Sequence, residues 1–390
     1  MNAITVTKNA ARSLRNFFCW VYQNEMIAPE DIADGEIVDI LAPNGDFLAR
    51  GYLNRKSKIA VRVLAFDRRE IDGDFFAERI ATALAKRKRV SDIADAYRLV
   101  HSEADFLPGL IVDVYNGYLA VQINTLGMER HREAIVDALV RLLKPIGIID
   151  KSDAKVRLKE GLDTRNGVIY GEVSESVVIT ENGVRFSVNL HEGQKTGFYL
   201  DQRRNRSVTS GYINEGMSVL DVFCNAGGFG LYALRNGADV RFVDLSEHAL
   251  TQVRHNLRLN GFQECDVIRQ DAFDFLTLEK TTTNRYDAVF LDPPPFAKTK
   301  KEAEGAIKGF KFLFSAGLSL SKPGGIVALF SCSHHIGEET LLEIAREASA
   351  KAGVPLEVLE LLRADSDHPY ILNIPNSAYL SGIIVRKIVL

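Results

Sequence analysis

The residues of this 390-residue chain best suited to chemistry stand at the ends of apolar runs. Asp221 follows Ser218-Val-Leu220 and precedes Asn225-Ala-Gly-Gly-Phe-Gly230, where Gly227 and Gly228 supply a tight turn that a ligand can approach closely. Asp244 closes the next run, Asp239-Val-Arg-Phe-Val-Asp244, where an acid commonly takes the hydroxyls of a ribose. That pair alone leaves the ligand open, because structural α/β units and dinucleotide enzymes use the same pieces. Asp271 can either reach a nucleoside or cap the following helix. In Tyr286-Asp-Ala-Val-Phe-Leu-Asp-Pro-Pro-Pro-Phe296 the carboxylate of Asp292 is followed by three prolines, which lack backbone donors and make a rigid rim for a planar ligand. Cys332 lies beyond the run Val327–Phe330, between Ser331 and Ser333 and before His334 and His335. A thiol there becomes a competent nucleophile if the site favours the thiolate. The two histidines read as structural.

The elements that position these residues alternate. Strands end at Asp221 and Asp244; a helix follows at Glu247–Leu259, strands at Asp266–Arg269 and Ala288–Leu291, a helix at Glu302–Leu320 and a strand at Ile326–Phe330. That rhythm predicts a doubly wound sheet, and two late strands, Leu356–Leu362 and Tyr379–Leu390, give it a mixed edge. Upstream, Gly35–Leu41 and Phe47–Tyr52 flank Asn44-Gly45, a strong hairpin signal, and Ile59–Leu64 adds a third strand. Arg50, Arg55, Lys56 and Lys58, with Arg62 beyond, form either a solvated loop or a phosphate-contacting patch. A helix over Phe75–Val90 carries Lys86-Arg-Lys-Arg89 near its C-terminus, where cations complement the helix dipole. A hairpin at Asn116-Gly117, a helix over Glu129–Leu143 and a strand over Ile146–Lys151 complete a small α+β unit, in which Asp113 and Tyr115 read as structural. After a second hairpin at Asn182-Gly183, the polar stretch His191–Arg203 reads as a lid over the cofactor. The expected domains are therefore 1–70, 74–175 and 176–390.

Composition narrows the classes without naming one. A 46% hydrophobic content is ample for two or three cores, and a net charge of −3 argues against binding nucleic acid over the whole surface. Cys19, Cys224, Cys265 and Cys332 are too scattered for a disulfide framework or a zinc site, so no metal is expected. No run is long and apolar enough for a membrane span and the N-terminus lacks a signal pattern, which predicts a cytoplasmic protein with no membrane partner.

Taken in order, Gly197-Phe-Tyr-Leu-Asp-Gln-Arg203, Asp221–Phe229, Asp292-Pro-Pro-Pro-Phe296 and Ser331-Cys-Ser333 make the chain resemble the class I S-adenosylmethionine-dependent methyltransferases. The likeness is to the bacterial 23S ribosomal RNA cytosine methyltransferases that carry an N-terminal PUA domain. It implies a Rossmann-like methyltransferase domain with a mixed seven-stranded sheet, preceded by a β-rich PUA domain and a central α+β domain. It implies S-adenosylmethionine as cofactor, held by Asp221, Phe223, Asn225, Gly227, Asp244, Leu245, Asp271 and Ala272, with Tyr199 and Arg203 from the upstream stretch. Asp292 and Cys332 would meet a target cytosine, and Arg50, Arg55, Lys56 and Lys58 would contact ribosomal RNA, with a homodimer possible. Enzymes of this kind often carry a second cysteine after the proline motif, where this chain has Pro294, Pro295 and Phe296, so Cys332 is the expected nucleophile. Cys224, inside the turn, reads as packing. Two rivals are a guanine or adenine nitrogen methyltransferase, which needs no thiol, and a non-catalytic RNA-binding assembly factor.

Overall fold

The computed structural model of the chain describes residues 2–193, 196–296 and 302–389. Its contacts divide into two compact units, Met1–Ile179 with Val188–Leu200 and Ser366–Ser377, and Thr180–Ser187 with Asp201–Asp365 and Ala378–Leu390.

The first unit holds two sheets, each with its own hydrophobic core. The N-terminal sheet runs Trp20–Tyr22, Ile59–Ala65, Phe47–Leu53, Ile37–Leu41, Ala3–Val6 and Met26–Ile27. The hairpin at Asn44-Gly45 is present, and its register sets Asp39 opposite Arg50. That pairing corrects the basic patch. Arg50 is buried, its Nε donating to Asp39 Oδ1 at 2.8 Å. Arg62 is buried against Glu103 and Glu160. Arg55 is half-buried and donates to Asp34 Oδ1 and to the carbonyls of Ile32 and Pro29. Arginines committed to carboxylates inside a fold are not offered to phosphate, and only Lys56 and Lys58 of the expected set stand exposed.

The second sheet of this unit runs Gly167–Gly171, Gly147–Asp150, Tyr118–Ile123, Leu110–Tyr115 and Ala96–His101. The helix expected through Val90 ends at Lys86 and restarts as Lys88–Ser91. Arg87 turns inward at the break, where its guanidinium makes two 2.6 Å bonds to the Asp105 carboxylate. The expected 129–143 helix is likewise two pieces, Leu126–Arg130 and Arg132–Leu143, separated at His131. Asp113 and Tyr115 hold the start of the stretch expected as a lid: Thr196 Oγ1 donates to Asp113 Oδ2, and the Phe198 N–H donates to the Tyr115 hydroxyl. Thr196 and Phe198 are accordingly buried and belong to the first unit, while Gln194 and Lys195 lie outside the described residues.

The second unit carries the expected mixed seven-stranded sheet. We label its strands β1 (Ser218–Val222), β2 (Asp239–Asp244), β3 (Asp266–Arg269), β4 (Tyr286–Leu291), β5 (Ser321–Ser331), β6 (Leu356–Arg363) and β7 (Ser381–Lys387). Its helices are α1 (Arg203–Ser210), α2 (Gly228–Arg235), α3 (Glu247–Leu259), α4 (Ala272–Glu279), α5 (Ala303–Leu320) and α6 (Glu338–Ala352). The order β3-β2-β1-β4-β5-β7-β6 is parallel except at β7, which runs antiparallel to both β5 and β6. Val222, Leu291 and Leu329 share one register row of a core that also receives Leu276 from α4, Phe314 from α5 and Ile344 from α6. Helix α6 has no counterpart in the sequence reading. The strand order reverses between β1 and β4, and in open α/β sheets the crevice at that switch, beyond the carboxyl ends of the strands, is where ligands bind.

Candidate functional site

Strand register decides which side chains meet at the switch point. Val243, Val222 and Leu291 lie in one row across β2, β1 and β4, so Asp244, Phe223 and Asp292 each stand one residue beyond it. On β5 the row continues at Leu329, and Cys332 follows at the end of that strand, beside the strand carrying Asp292. Parallel strands in register thus gather the carboxylates and the thiol along one edge of the sheet.

The turn after β1 is built under backbone constraint. Phe223 and Asn225 adopt left-handed φ values of 62° and 47°, and Gly227 follows at 82°. Non-glycine residues held this way each cost on the order of 1–3 kcal/mol and persist where the surroundings fix them, a pattern that clusters at ligand sites. Here the surroundings are specific. The Asn225 N–H donates to Asp244 Oδ2 at 3.0 Å and the Ser246 N–H donates to Asp244 Oδ1 at 2.9 Å, so the acid at the end of β2 clamps the turn. Gly230 permits the closest approach, because a Cβ there would fall 2.2 Å from the Phe242 ring.

Asp221 sits beneath the turn, not in the crevice. It is 1% exposed and accepts the Gly230 N–H at 2.8 Å. Burial pushes its carboxyl up to about 8, with the charges of Asp292 and Asp244 acting in the same direction. Cys224 is buried, and burial followed by the charges of Asp221 and Asp244 pushes its thiol well above the ordinary value, which suits packing and not nucleophilic attack.

Asp271 is the N-cap of α4, with Oδ1 accepting from Phe273 and Asp274, and Ala272 behind it is buried. Leu245 is 62% exposed beyond Asp244, an apolar surface beside the clamp. Phe223 is half-buried and meets Phe296 edge-on at 6.4 Å. Arg203 is 1% exposed and ion-paired with Asp365 at 2.7 Å, which braces the start of α1. Tyr199, half-buried, belongs to the first unit.

The Cys332 neighbourhood is an ordered turn. The Ser333 N–H donates to Ser331 Oγ, the His335 N–H donates to Ser333 Oγ, and His334 Nδ1 lies 2.9 Å from the Ala378 carbonyl oxygen. Cys332 is half-buried. Among the described residues, no group of three side chains could hold a metal ion, and no helix is long and apolar enough to cross a membrane.

Sequence reasoning passed over Gln202 and Asn205. Gln202 is buried and its Nε2 donates to Asp292 Oδ1 at 3.1 Å; Asn205 is buried and its Nδ2 donates to Gln202 Oε1 at 2.6 Å. Gln202 lay inside the stretch Gly197–Arg203, yet nothing in that stretch tells which polar residue would be buried.

The family profile described as PUA-like domain matches residues 4–66, and that described as S-adenosylmethionine-dependent methyltransferase matches residues 151–374. Ribosomal RNA large subunit methyltransferase I of Aeromonas hydrophila is 40% identical over 398 aligned positions, covering 98% of this chain and 99% of the relative. The protein of the same name from Tolumonas auensis is 38% identical, with 99% of each chain covered. A crystal structure of a methyltransferase complexed with SAH superposes with a TM-score of 0.86 at 21% identity, over 99% of this chain and 100% of that one.

Proposed function

The chain belongs to the S-adenosylmethionine-dependent methyltransferases, in the ribosomal RNA large subunit methyltransferase I family, and from that premise we propose that it methylates carbon 5 of a cytosine in 23S ribosomal RNA through a covalent adduct with Cys332. The observation that carries this reading is the placement of Cys332 and Asp292 at the ends of adjacent strands beside the switch point.

The methyl donor is S-adenosylmethionine, and the residues present fit it. Asp244 has two carboxylate oxygens, each taking one backbone N–H and each retaining a lone pair for a ribose hydroxyl. Leu245 and Phe223 offer apolar surface to a purine, and the left-handed turn at Asn225–Gly227 brings bare backbone to the ligand. When bound, the cofactor supplies the sulfonium methyl that carbon 5 accepts.

The protein's own part follows from the weak nucleophilicity of carbon 5. The Cys332 thiolate forms a bond to carbon 6, and the electron pair of the 5,6 double bond becomes available at carbon 5. Asp292 accepts an N–H from the base edge and steadies the adduct as charge shifts onto the ring. After transfer, a base takes the proton from carbon 5, the sulfur–carbon 6 bond breaks, and its electrons return to Cys332 as the double bond re-forms. Cytosine-5 mapping of 23S ribosomal RNA from cells with and without the protein should show one methylated cytosine lost. Loss of a methylated guanine or adenine nitrogen instead would overturn the reading in favour of direct transfer to a base amine.

The PUA-like module supplies RNA contacts through Lys56 and Lys58, the exposed remainder of the basic stretch. Replacing both with glutamate is expected to weaken RNA binding and to reduce the slope of log affinity against log salt by about 2, roughly one for each phosphate that a lysine no longer neutralises. Filter binding across a salt series checks this, and an unchanged slope would remove both lysines from the interface.

A further inference from the structure

Helix α1 buries the wrong residues for a structural helix. Arg203, Asn205, Arg206 and Thr209, with Gln202 at its N-cap, are all buried and all polar. Burying polar groups is costly unless each has a partner, so a helix that presents a polar face inward is kept for what that face does. Part of the face is a brace: Arg206 holds Glu181 with bonds of 2.6 and 2.8 Å, and its stem lies over Gly228 at the start of α2. The rest points elsewhere.

We propose that Gln202 and Asn205 form an amide relay that positions Asp292 as a hydrogen-bond acceptor, and so makes the enzyme read a base through its exocyclic amine. This rests on the reading above in which Asp292 meets the target base. The relay has one direction. Asn205 Nδ2 donates to Gln202 Oε1, which leaves Gln202 Nε2 to donate to Asp292 Oδ1. A flipped Gln202 amide would turn its oxygen toward the Asp292 carboxylate, and a flipped Asn205 amide would turn its oxygen toward Gln202 Oε1, an acceptor against an acceptor in both cases; the bonding pattern admits a single arrangement. Gln202 is also fixed from both sides along the chain. Asp201 next to it accepts from the Tyr379 hydroxyl at 2.7 Å, and Arg203 after it is paired with Asp365. Its amide has little freedom to swing away.

The chemical consequence concerns base choice. An N–H donor on one oxygen favours the ionised form of Asp292, and an ionised carboxylate only accepts. Cytosine offers an amine at carbon 4, whereas uracil offers a carbonyl oxygen there, so a carboxylate kept ionised admits the first and repels the second. Gln202 and Asn205 are positioning residues in this scheme, since they act through Asp292.

The test uses the full-length protein and an RNA substrate whose target position is cytosine or uracil. Gln202→Ala is expected to lower kcat/KM by about ten- to a hundredfold, the size of a lost hydrogen bond to a charged group, and to move the acid limb of the pH profile to higher pH. Asn205→Asp supplies the sharper variant: an ionised acid at 205 accepts from Gln202, reverses its amide, and should cost as much as losing Gln202. Because burying a charge there can unfold α1, Asn205→Ala is run alongside, with a smaller loss expected. In the Gln202→Ala background neither change at 205 should matter further, since the relay is already cut. Discrimination against uracil should fall in each single variant. A merely structural role predicts lower thermal stability and weaker S-adenosylmethionine binding, with losses that add and no movement of the pH limb; that result overturns the relay. Asp292→Ala separates the two claims. If it retains activity, the role given to Asp292 at the base fails; if it is inactive while Gln202→Ala matches wild type in rate and pH profile, the relay alone fails.

Discussion

Cys332→Ala is expected to abolish methyl transfer, by about 10⁴-fold or more, while leaving S-adenosylmethionine binding by calorimetry unchanged. The size follows from the reaction. Without a thiolate at carbon 6, carbon 5 of cytosine has no electron pair to offer, and no other described cysteine can substitute: Cys19 and Cys224 are buried, and Cys265 lies at the start of β3, the end of the sheet away from the crevice. The unchanged cofactor affinity follows from geometry, since the clamp of Asp244 on Asn225 and the turn through Gly227 lie on β1 and β2. A positive test accompanies the loss. RNA bearing 5-fluorocytosine at the target has no proton to surrender at carbon 5, so wild-type protein should remain bonded to it and migrate as an adduct under denaturing electrophoresis. Cys332→Ala should give none. An adduct that persists in Cys332→Ala would assign the nucleophile to another residue, and full activity of that variant without an adduct would end the covalent mechanism.

The sequence displays the methyltransferase sheet well because parallel strands buried on both faces are near-continuous apolar runs. Strand β3 and helix α3 fall on the bounds that periodicity assigns, and β2 ends at Asp244 as expected. The charged residues are where the reading fails, and the reason is distance along the chain. The partner of Arg50 is Asp39, which the Asn44-Gly45 hairpin brings opposite it, so that pair was legible from register. The partners of Arg62 are Glu103, in a turn at Ser102–Asp105, and Glu160, at the end of the helix Ala154–Lys159, both distant in the chain, and no local pattern announces them. The same holds for Arg87, whose burial against Asp105 splits a helix that its sequence would continue. Helix α1 shows the converse problem. Its run Arg203-Arg-Asn-Arg-Ser-Val-Thr-Ser210 has no apolar stripe and reads as a solvated surface, yet half of it is interior. A residue-type pattern reports what water would accept; it does not report which polar groups the fold has arranged to satisfy.

Asp221→Asn is expected to make stability less dependent on pH, with the advantage of the variant growing from pH 5 to pH 8. The wild-type carboxyl is 1% exposed, and burial above all raises it to about 8 from an ordinary 3.8. Between those values the folded chain holds a proton that the unfolded chain has released. Stability therefore falls as pH rises through this window and levels off above it, the reverse of a salt-bridged carboxylate. A shift of this size corresponds to an upper figure on the order of 5 kcal/mol across the whole window, so even a fraction of it is measurable by urea unfolding at a series of pH values. Asparagine reproduces the neutral acid in shape, and its Oδ1 can accept the Gly230 N–H that Asp221 now accepts, so the turn should survive. It cannot ionise, and the charges of Asp244 and Asp292 then face no third negative group beneath the turn. Parallel pH profiles for wild type and Asp221→Asn would show that the carboxyl titrates in its ordinary range. A steeper fall in the wild type alone would locate a proton under the cofactor turn at neutral pH.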